Sequence, residues 1–359
     1  MQIGKEDKNN CRKERLVPME KPHKKPATIQ DVADFAGVST ATVSRVISGS
    51  DKVSKKLIKR VQNAIHELDY HPDQTARRLR HRDNKLIGVV ISDIQNPYFS
   101  TLVVGIENVL HEKGYRLLLG NSSEDPERER EHLNTFLSER VSGVIFTSTG
   151  DESGQYKKLQ AVGIPLVAVD RKPINLDVDL VNLANEEASF TAITHFIEEG
   201  HHRIGLIAGP ENLSTGRERY EGYKRALIST GHEIHLELIL ESNFRQNGGY
   251  ESMGKLLDLA NPPSAVLISN NLMTLGALEM IHKRGLMIPD QISLIGFDDM
   301  AWAPSLRPPL TVIAQPVTEM GTTAARLLLE RITNPGIPTR RVTFDGKLIV
   351  RSSCVKIES

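Results

Sequence analysis

The sequence predicts a chain of two parts, with a small all-α head built on a helix-turn-helix motif and a larger α/β body of two doubly wound lobes. Apolar residues recur at helical spacing through residues 28–68, whereas short β-branched runs alternate with amphipathic segments from residue 86 onward. The 45 basic and 45 acidic residues of this 359-residue chain divide unevenly, because residues 1–85 contain 19 Lys and Arg but 11 Asp and Glu. Residues 86–359 therefore hold 26 basic and 34 acidic residues, so a neutral average conceals a basic head and an acidic body.

The first 25 residues are polar, and we predict a disordered arm over residues 1–25 because apolar periodicity is missing there. This segment lacks the apolar centre of a signal peptide, and no apolar run is long enough to span a bilayer. We therefore expect a cytoplasmic protein with no membrane partner, and either Met1 or Met19 as its start. Cys11 and Cys354 lie near opposite ends, which argues against a disulfide framework or a zinc site, so neither a metal nor a cofactor is expected.

Residues 26–70 are predicted to form the helix-turn-helix domain. The first helix presents an apolar face that consists of Ile29, Val32, Ala33 and Ala36. Gly37 can adopt the left-handed conformation that ends this helix, and Ser39 can cap the next helix by accepting a backbone N–H. The second helix buries Val43, Val46 and Ile47. A third amphipathic helix over residues 53–68 completes a compact module.

The outward face of the second helix carries short hydroxyl side chains and an arginine. These residues are Thr40, Ala41, Thr42, Ser44 and Arg45. Such side chains near a helix N-terminus suit contacts with phosphates and base edges in the major groove of DNA. An ordinary helical hairpin shows the same pattern and remains the alternative on these residues alone.

A short basic segment over residues 71–85 follows the head, and Pro72 suits the first turn of a helix. A helix of about two turns is marginal alone in water because nucleation is costly, so we expect this hinge to order only against DNA or a partner. An ordinary charged linker is the alternative that composition leaves open.

Two long motifs span the head and the hinge. The first consists of Thr28-Ile29, Asp31-Val32-Ala33, Ala36-Gly37-Val38-Ser39 and Thr42-Val43-Ser44-Arg45-Val46, and the second of Tyr70, Pro72, Ala76-Arg77 and Leu79. They resemble, respectively, the head-piece and the hinge helix of the LacI/GalR (lactose/purine repressor) family of bacterial transcriptional regulators. Two positions depart from the family pattern: Asp73 replaces the usual Asn or Ser, and Leu57-Ile58 replaces the usual Thr-Arg.

The resemblance implies that Thr40, Ala41 and Arg45 face base edges, while Leu79 wedges between bases in the minor groove. The predicted DNA contacts are Thr28, Ser39, Thr40, Ala41, Thr42, Ser44, Arg45, Ala76, Arg77, Leu79 and Arg80. It also implies a homodimer that binds a palindromic double-stranded DNA operator. Only eight residues follow the run Leu348–Arg351 and they contain no heptad pattern, so a dimer is expected rather than a tethered tetramer.

The body, residues 86–359, is predicted to contain parallel sheets with helices on both faces. A break near Leu183–Asn185 separates two series of strand-like runs. These runs are Leu86–Ile91, Tyr115–Leu119, Val144–Phe146, Ile164–Val169, Arg203–Ala208, Ala265–Ile268 and Ile292–Phe297. We expect lobe 1 to comprise residues 86–184 and 316–343, and lobe 2 to comprise residues 185–315 and 344–359. Ligands of such folds bind beyond the carboxyl ends of strands, which here means the cleft between the lobes.

Polar and aromatic residues follow several of these strands. Carboxylates, amides, an arginine and aromatic rings together suit a polyhydroxylated ligand, because Asp and Arg pair with neighbouring hydroxyls. The body resembles the periplasmic sugar-binding fold that serves as the effector domain of the same family. Carried over from that resemblance, the predicted effector-binding residues are Tyr98, Phe99, Asp170, Thr215, Arg219, Phe244, Asn270, Asp298 and Gln315. Leu213 stands where purine-binding members use a polar contact, which favours a sugar over a nucleobase.

Each site residue also has a structural interpretation. Asp298 can simply cap the following helix, Phe99 and Phe244 can be ordinary core, and Arg219 can pair with a surface carboxylate. The charge run over residues 127–131 is interpreted as a solvated helix face.

A sugar-processing enzyme and a transport-type binding protein are the two alternative classes. A glycine-rich phosphate loop, a nucleophile elbow and zinc or kinase signatures are all missing from the sequence, which argues against an enzyme. The predicted function is a transcriptional regulator that acts as a repressor. A small molecule is expected to control its operator affinity by changing the balance between arrangements of the two lobes. A sugar or sugar derivative is the expected effector, with a purine or a phosphoprotein co-regulator as the alternative.

Overall fold

The computed structural model describes residues 27–47, 53–70, 84–150 and 154–357. The chain divides into two compact units, Met1–Arg82 and Asp83–Ser359. The predicted arm and most of the predicted hinge and linker therefore lie outside the described residues.

The head consists of helices α1 (Ile29–Ala36), α2 (Thr40–Ile47) and α3 (Lys55–Glu67). They pack on a small apolar core formed by Val32, Ala33, Ala36, Val43, Val61, Ala64 and Tyr70. Gly37 adopts φ 60°, as predicted, and the Arg60 Nη2 atom donates to the Ala36 carbonyl oxygen at 2.6 Å. This bond lets α3 satisfy a carbonyl at the C-terminus of α1, where intrahelical donors run out. Ile29 departs from its expected place in the buried face, because it is 36% exposed.

Lobe 1 of the body has a six-stranded sheet. Its strands are β1 (Leu86–Ile91), β2 (Arg116–Asn121), β3 (Gly143–Phe146), β4 (Leu166–Val169), β5 (Asp179–Leu183) and β11 (Arg341–Phe344). They are all parallel, in the order β11-β5-β4-β3-β1-β2. The helices of this lobe are α4 (Pro97–Glu112), α5 (Pro126–Ser138), α6 (Gly154–Ala161) and α11 (Val317–Thr333). Helices α4 and α11 approach closely, since a Cβ at Gly105 would lie 2.4 Å from the Thr318 carbonyl oxygen.

Lobe 2 repeats this plan. Its strands are β6 (Ile204–Ala208), β7 (Ile239–Glu241), β8 (Ala265–Ile268), β9 (Ser293–Phe297), β10 (Thr311–Ala314) and β12 (Lys347–Ile349). Their order, β12-β10-β9-β8-β6-β7, matches that of lobe 1, except that β12 runs antiparallel to β10. The helices are α7 (Asn185–Glu198), α8 (Ser214–Ser229), α9 (Gln246–Leu257) and α10 (Asn271–Lys283).

The chain passes between the lobes three times. The passages lie between β5 and α7, between β10 and α11, and between β11 and β12. The first coincides with the break that the sequence shows near Leu183–Asn185, and β11 ends at Phe344, one residue beyond the boundary expected for lobe 1. Three passages make the cleft between the lobes a natural hinge region.

The charge run over residues 127–131 is only in part the solvated face that was expected. Glu129 lies on α5 and is 1% exposed, because it points inward, where its Oε2 atom accepts the Thr149 backbone N–H at 2.8 Å. Its helix neighbour Glu131 is exposed as predicted. Helical periodicity places the third of five charged residues on the inner face, and the orphan N–H of the loop after β3 supplies its partner.

Candidate functional site

Helix α2 of the head presents the residues expected to read DNA. Ala41 and Arg45 are exposed and lie one turn apart, while Thr40, Thr42 and Ser44 are half-buried. Val43 is completely buried and fixes the orientation of the helix against the head core. The face of α2 is thus available for contact at the positions expected to meet base edges.

Three of the predicted DNA contacts also hold the head together. Thr28 forms a capping box with Asp31 at the start of α1. Ser39 caps α2, as predicted, because its Oγ atom accepts the Thr42 backbone N–H at 3.3 Å and lies 3.0 Å from the Thr42 Oγ1 atom. The hinge positions Ala76, Arg77, Leu79 and Arg80 lie outside the described residues, so their contacts remain predictions.

The cleft between the two lobes of the body contains a cavity of about 450 Å³, including the solvent at its mouth. It is lined by Asp93, Asn96, Tyr98, Phe99, Glu124, Asp170, Arg171, Thr215, Arg219, Phe244, Arg245, Asn270, Asp298 and Gln315. All nine residues of the predicted effector site are among them. The structure therefore brings together side chains that are up to 217 positions apart in the sequence.

Four lining residues adopt left-handed backbone conformations at strand ends. Glu124 (φ 60°) follows β2, Asp170 (φ 69°) follows β4, Phe244 (φ 58°) follows β7 and Asp298 (φ 74°) follows β9. Aspartate tolerates this region, whereas a bulky residue such as phenylalanine rarely adopts it. Backbone strain of this kind persists where the surrounding structure fixes it, often at ligand sites. These turns aim the four side chains into the cleft.

Asp298 lies at the lobe 2 wall of the cavity. The Gln315 Nε2 atom donates to its Oδ1 atom at 2.6 Å, and the Asn271 backbone N–H donates to its Oδ2 atom at 3.3 Å. The Asp298 carboxylate therefore accepts the backbone N–H of the first residue of α10 and also lines the cavity. Its equivalent in lobe 1 is Asp170, whose Oδ1 atom accepts the Tyr98 hydroxyl at 2.9 Å.

Arg219 is a buried cavity residue rather than a partner of a surface carboxylate. It is 4% exposed, its Nε atom donates to the Asn185 Oδ1 atom at 2.8 Å, and its Nη1 atom donates to the Ser269 carbonyl oxygen. The centre of its guanidinium lies 4.1 Å from the centroid of the Phe297 ring. These contacts hold the group flat against lobe 2, with its remaining donors toward the cavity.

Arg171 is held on the opposite side by an ion pair. Its Nη1 and Nη2 atoms donate to the two carboxylate oxygens of Glu124 at 2.6 and 2.7 Å. Nη1 also donates to the Ser148 carbonyl oxygen at 3.2 Å, and Nε lies 3.6 Å from the Asp170 Oδ2 atom. Both terminal nitrogens therefore donate to protein oxygens, while Nε lies beside Asp170 without a hydrogen-bond partner among the described residues.

The electrostatics of the cavity reflect burial of charge. Burial raises the pKa of Asp170 and of Asp298, against the lowering effect of Arg171 on the first and Arg219 on both. Burial also raises the pKa of the Tyr98 hydroxyl well above its usual value, reinforced by Asp170, and lowers the pKa of Arg219. The cavity thus holds carboxylates that lack full solvation and favour a ligand with hydrogen-bond donors.

Some side chains that line the cavity also stabilise the lobe to which they belong. Asn270 caps α10 through its Oδ1 atom and donates to the Phe244 carbonyl oxygen at 2.8 Å. Phe99 and Phe244 belong to the cores of their lobes, as the structural interpretation expected, and also line the cavity. The Thr215 Oγ1 and Gln315 Oε1 atoms are buried and find no hydrogen-bond partner among the described residues. Such orphan atoms are rare unless a ligand or water completes them.

Direct hydrogen bonds cross the cleft. The Arg245 Nη2 atom donates to the Ser123 carbonyl oxygen at 2.8 Å, and the Asn271 Nδ2 atom donates to the Asn96 Oδ1 atom at 2.8 Å. The Lys172 backbone N–H donates to the Ser214 Oγ atom at 2.9 Å. The lobes are therefore in contact on both sides of the cavity.

Sequence reasoning missed some lining residues. The lining residues that the prediction did not include are Asp93, Asn96, Glu124, Arg171 and Arg245. Glu124 follows β2, whose run was predicted, so the rule of looking after strand ends could have found it, whereas Arg245 follows β7, which was not predicted. Within the described ranges, no group of three or more His, Cys, Asp or Glu side chains could hold a metal ion, and no helix is long and apolar enough to cross a membrane.

Both units of the chain are similar to known proteins. Residues 28–73 match the bacterial regulatory proteins of the lacI family, and residues 193–354 match a periplasmic binding protein-like domain. A relative from Mannheimia succiniciproducens, the HTH-type transcriptional repressor PurR, is 35% identical over 332 residues, which cover 92% of this chain and 99% of the relative.

Two solved structures extend this likeness to the fold. A complex of the transcriptional regulator CelR with cellobiose is 32% identical and has a TM-score of 0.70, covering 91% of this chain and 99% of that chain. The lac repressor dimer bound to operator and the anti-inducer ONPF is 27% identical and has a TM-score of 0.80, covering 92% of this chain and 100% of that chain. With the topology above, these likenesses confirm the predicted fold class of a helix-turn-helix head and a two-lobed periplasmic-binding-protein-like body.

Proposed function

The chain belongs to the lacI family of bacterial regulatory proteins, and we propose that it is a repressor whose affinity for a DNA operator is set by a sugar or sugar derivative in the cleft. The observation that carries the effector half is the convergence of all nine predicted residues on one cavity. The observation that carries the DNA half is the exposed face of α2, with Ala41 and Arg45 one turn apart.

The chemistry of the cavity supports a polyhydroxylated ligand. A hydroxyl group both donates and accepts, so it can donate to Asp170 or Asp298 while it accepts from Arg219. The aromatic rings of Tyr98 and Phe99 meet edge to face, with centroids 5.1 Å apart, and form an apolar wall for the C–H face of a sugar ring. The solved relative with the bound disaccharide cellobiose agrees with this class of ligand.

The DNA-bound form is proposed to be a homodimer on a palindromic operator, because one short recognition helix reads few base pairs and two-fold symmetry doubles the site. The lac repressor structure, which is a dimer bound to operator, supports this arrangement. Residues 71–85 would connect each head to its body, and Leu79 would supply the minor-groove wedge. We place the protein in the cytoplasm, where operator DNA is available.

Coupling between the two halves follows from the cleft. A ligand that contacts Asp170 in lobe 1 and Asp298 in lobe 2 favours one arrangement of the lobes over another. Residues 80–85 directly precede β1 of lobe 1 in the sequence, so a changed lobe arrangement would alter the spacing of the two connectors in the dimer. The coupling free energy is reciprocal, so operator DNA shifts effector affinity by the same factor. A purine or a phosphoprotein co-regulator is the alternative to a sugar in this scheme.

The test is a thermal-shift screen of the purified protein against sugars, sugar acids, sugar phosphates and purines. A specific ligand raises the unfolding temperature by mass action. Operator duplexes are selected from a random-sequence pool, and their binding is then measured with and without each hit. A sugar hit that changes operator affinity supports the proposal. A purine hit with the same effect would replace the sugar, and a protein that selects no DNA sequence would overturn the operator half.

A further inference from the structure

We infer that the cleft selects an uncharged polyhydroxylated ligand and rejects its phosphorylated or carboxylated counterparts. This inference rests on the proposed function, because it specifies the charge class of the effector in the same cavity. A cavity with three arginines suggests an anion site at first sight. The contacts of each arginine argue the opposite.

The two terminal nitrogens of Arg171 already donate to protein oxygens. Its side chain is 4% exposed and forms a bidentate ion pair with Glu124, whose side chain is 18% exposed. Its third nitrogen, Nε, lies against Asp170. Planar bidentate pairing is the strongest arrangement available to a guanidinium, so an incoming phosphate would have to displace a carboxylate that is already in place.

Arg245 and Arg219 also donate to protein oxygens, although neither uses all of its donors. Arg245 donates from lobe 2 to the Ser123 carbonyl oxygen of lobe 1 at the rim of the cavity. Arg219 donates one hydrogen bond to Asn185 and one to Ser269, and the carboxylates of Asp298 and Asp170 balance its charge. One cation between two carboxylates leaves no excess positive field for an anion.

The balance of the whole cavity is negative. Its lining contains four carboxylates, on Asp93, Glu124, Asp170 and Asp298, and three guanidinium groups. Both oxygens of Asp298 accept N–H donors, which is the bonding pattern of an ionised carboxylate. An ionised phosphate or carboxylate group of a ligand is an acceptor, so it would place like charge beside Asp170 and Asp298 and give neither a further donor. An uncharged hydroxyl supplies a donor to each.

The first test uses matched probes on the full-length protein by isothermal titration calorimetry. The pairs are ribose and ribose 5-phosphate, glucose and glucose 6-phosphate, glucose and glucuronic acid, with cellobiose as a larger neutral probe. We expect at least one neutral sugar to bind at least about tenfold more tightly than its anionic counterpart. A phosphate or acid that binds as tightly as its parent sugar overturns the inference and leaves the proposed effector site intact. Binding of none of the probes overturns both.

The second test frees Arg171 with the near-isosteric substitution Glu124→Gln. The anionic probes are expected to gain about tenfold in affinity, because the released guanidinium can then form a charge-assisted pair with the ligand. The matched control is Glu330→Gln, which removes the partner of Arg340 from a pair of the same 2.6 Å length outside the cleft. An equal gain in both variants, or no gain in a folded Glu124→Gln protein, contradicts the role of the pair. If Glu124→Gln does not fold, the wild-type probe pairs still decide.

Discussion

Glu129→Gln is expected to stabilise the protein at pH 8 and to have little effect at pH 5. Glu129 is 1% exposed on α5, and burial raises the pKa of its carboxyl group from 4.5 to about 7. Hydrogen bonds from Tyr156 and Thr149 and the charge of Arg171 oppose that rise without cancelling it. The glutamine keeps an oxygen for the Thr149 backbone N–H and carries no charge.

The sign of the effect follows from proton binding. Between pH 4.5 and about pH 7, folded Glu129 binds more protons than the same group in the unfolded chain, so the free energy of unfolding falls as the pH rises through this window. The contribution of protonated Glu129 to the free energy of unfolding is fully present below pH 4.5 and is lost above about pH 7. The corresponding penalty is on the order of 3 kcal/mol at high pH, of which roughly 2.5 kcal/mol develops between pH 5 and pH 8.

The assay is urea unfolding of wild type and variant at pH 5 and pH 8, followed by far-ultraviolet circular dichroism in the transition of the body. The difference between the two proteins is expected to grow by roughly 2 kcal/mol from pH 5 to pH 8, in favour of the variant. Glu131→Gln, on the exposed face of the same helix, is the control and is expected to show no such growth. A difference that is equal at both pH values would refute the argument that burial governs Glu129.

Three further predictions concern the regulatory sites. Arg45→Ala is expected to weaken operator binding and relax base preference by about 1–3 kcal/mol, measured by competition between operator variants; a uniform loss over all sequences would argue against a base contact. Leu79→Ala is expected to lower operator affinity with effector binding intact, and wild-type DNA bending in a gel-mobility assay would count against the wedge. Asp298→Asn is expected to weaken effector binding by at least about tenfold with operator binding retained, because a carboxylate acceptor is lost; an unchanged effector affinity in calorimetry would move the site elsewhere.

Much of the fold could be predicted because its strands are buried on both faces. Runs such as Leu86–Ile91 and Ala265–Ile268 are continuously apolar and were predicted with their observed bounds. Strands β5, β7, β10 and β11 escaped prediction, and of these β5 (Asp179–Leu183) and β7 (Ile239–Glu241) are short and partly polar. In β5 the reason is Asp179, a buried carboxylate that pairs with Arg331 at 2.8 Å across 152 positions. A local sequence pattern around Asp179 cannot predict a partner that is so far away in the sequence.

The predicted site is gathered by topology, whereas its nine residues were selected through the resemblance to the repressor family. Parallel strands of one sheet end at one edge, so Asp170 and Asp298 had to face the cleft once β4 and β9 were recognised. The left-handed turns that aim them could not be foreseen, since aspartate also adopts ordinary turns. The burial of Glu129 was missed because its neighbours are charged and exposed, and its partner is a backbone N–H on another element. The comparisons confirm the predicted class, a transcriptional regulator of the lacI family rather than an enzyme.

The repeated plan of the lobes explains how a small ligand can act on a large protein. Asp170 and Asp298 follow equivalent strands, and the backbone N–H of each donates to the next strand of its own sheet, to Val181 and Ile313. Each carboxylate is therefore held in place within its lobe. The distance between the Asp170 and Asp298 carboxylates then depends only on how the two lobes are arranged. A ligand that donates to both converts binding free energy into a preference for one distance. Because the chain connects the lobes only through the three passages between them and not through a shared sheet, we expect that preference to act on the hinge between the lobes and not on either core.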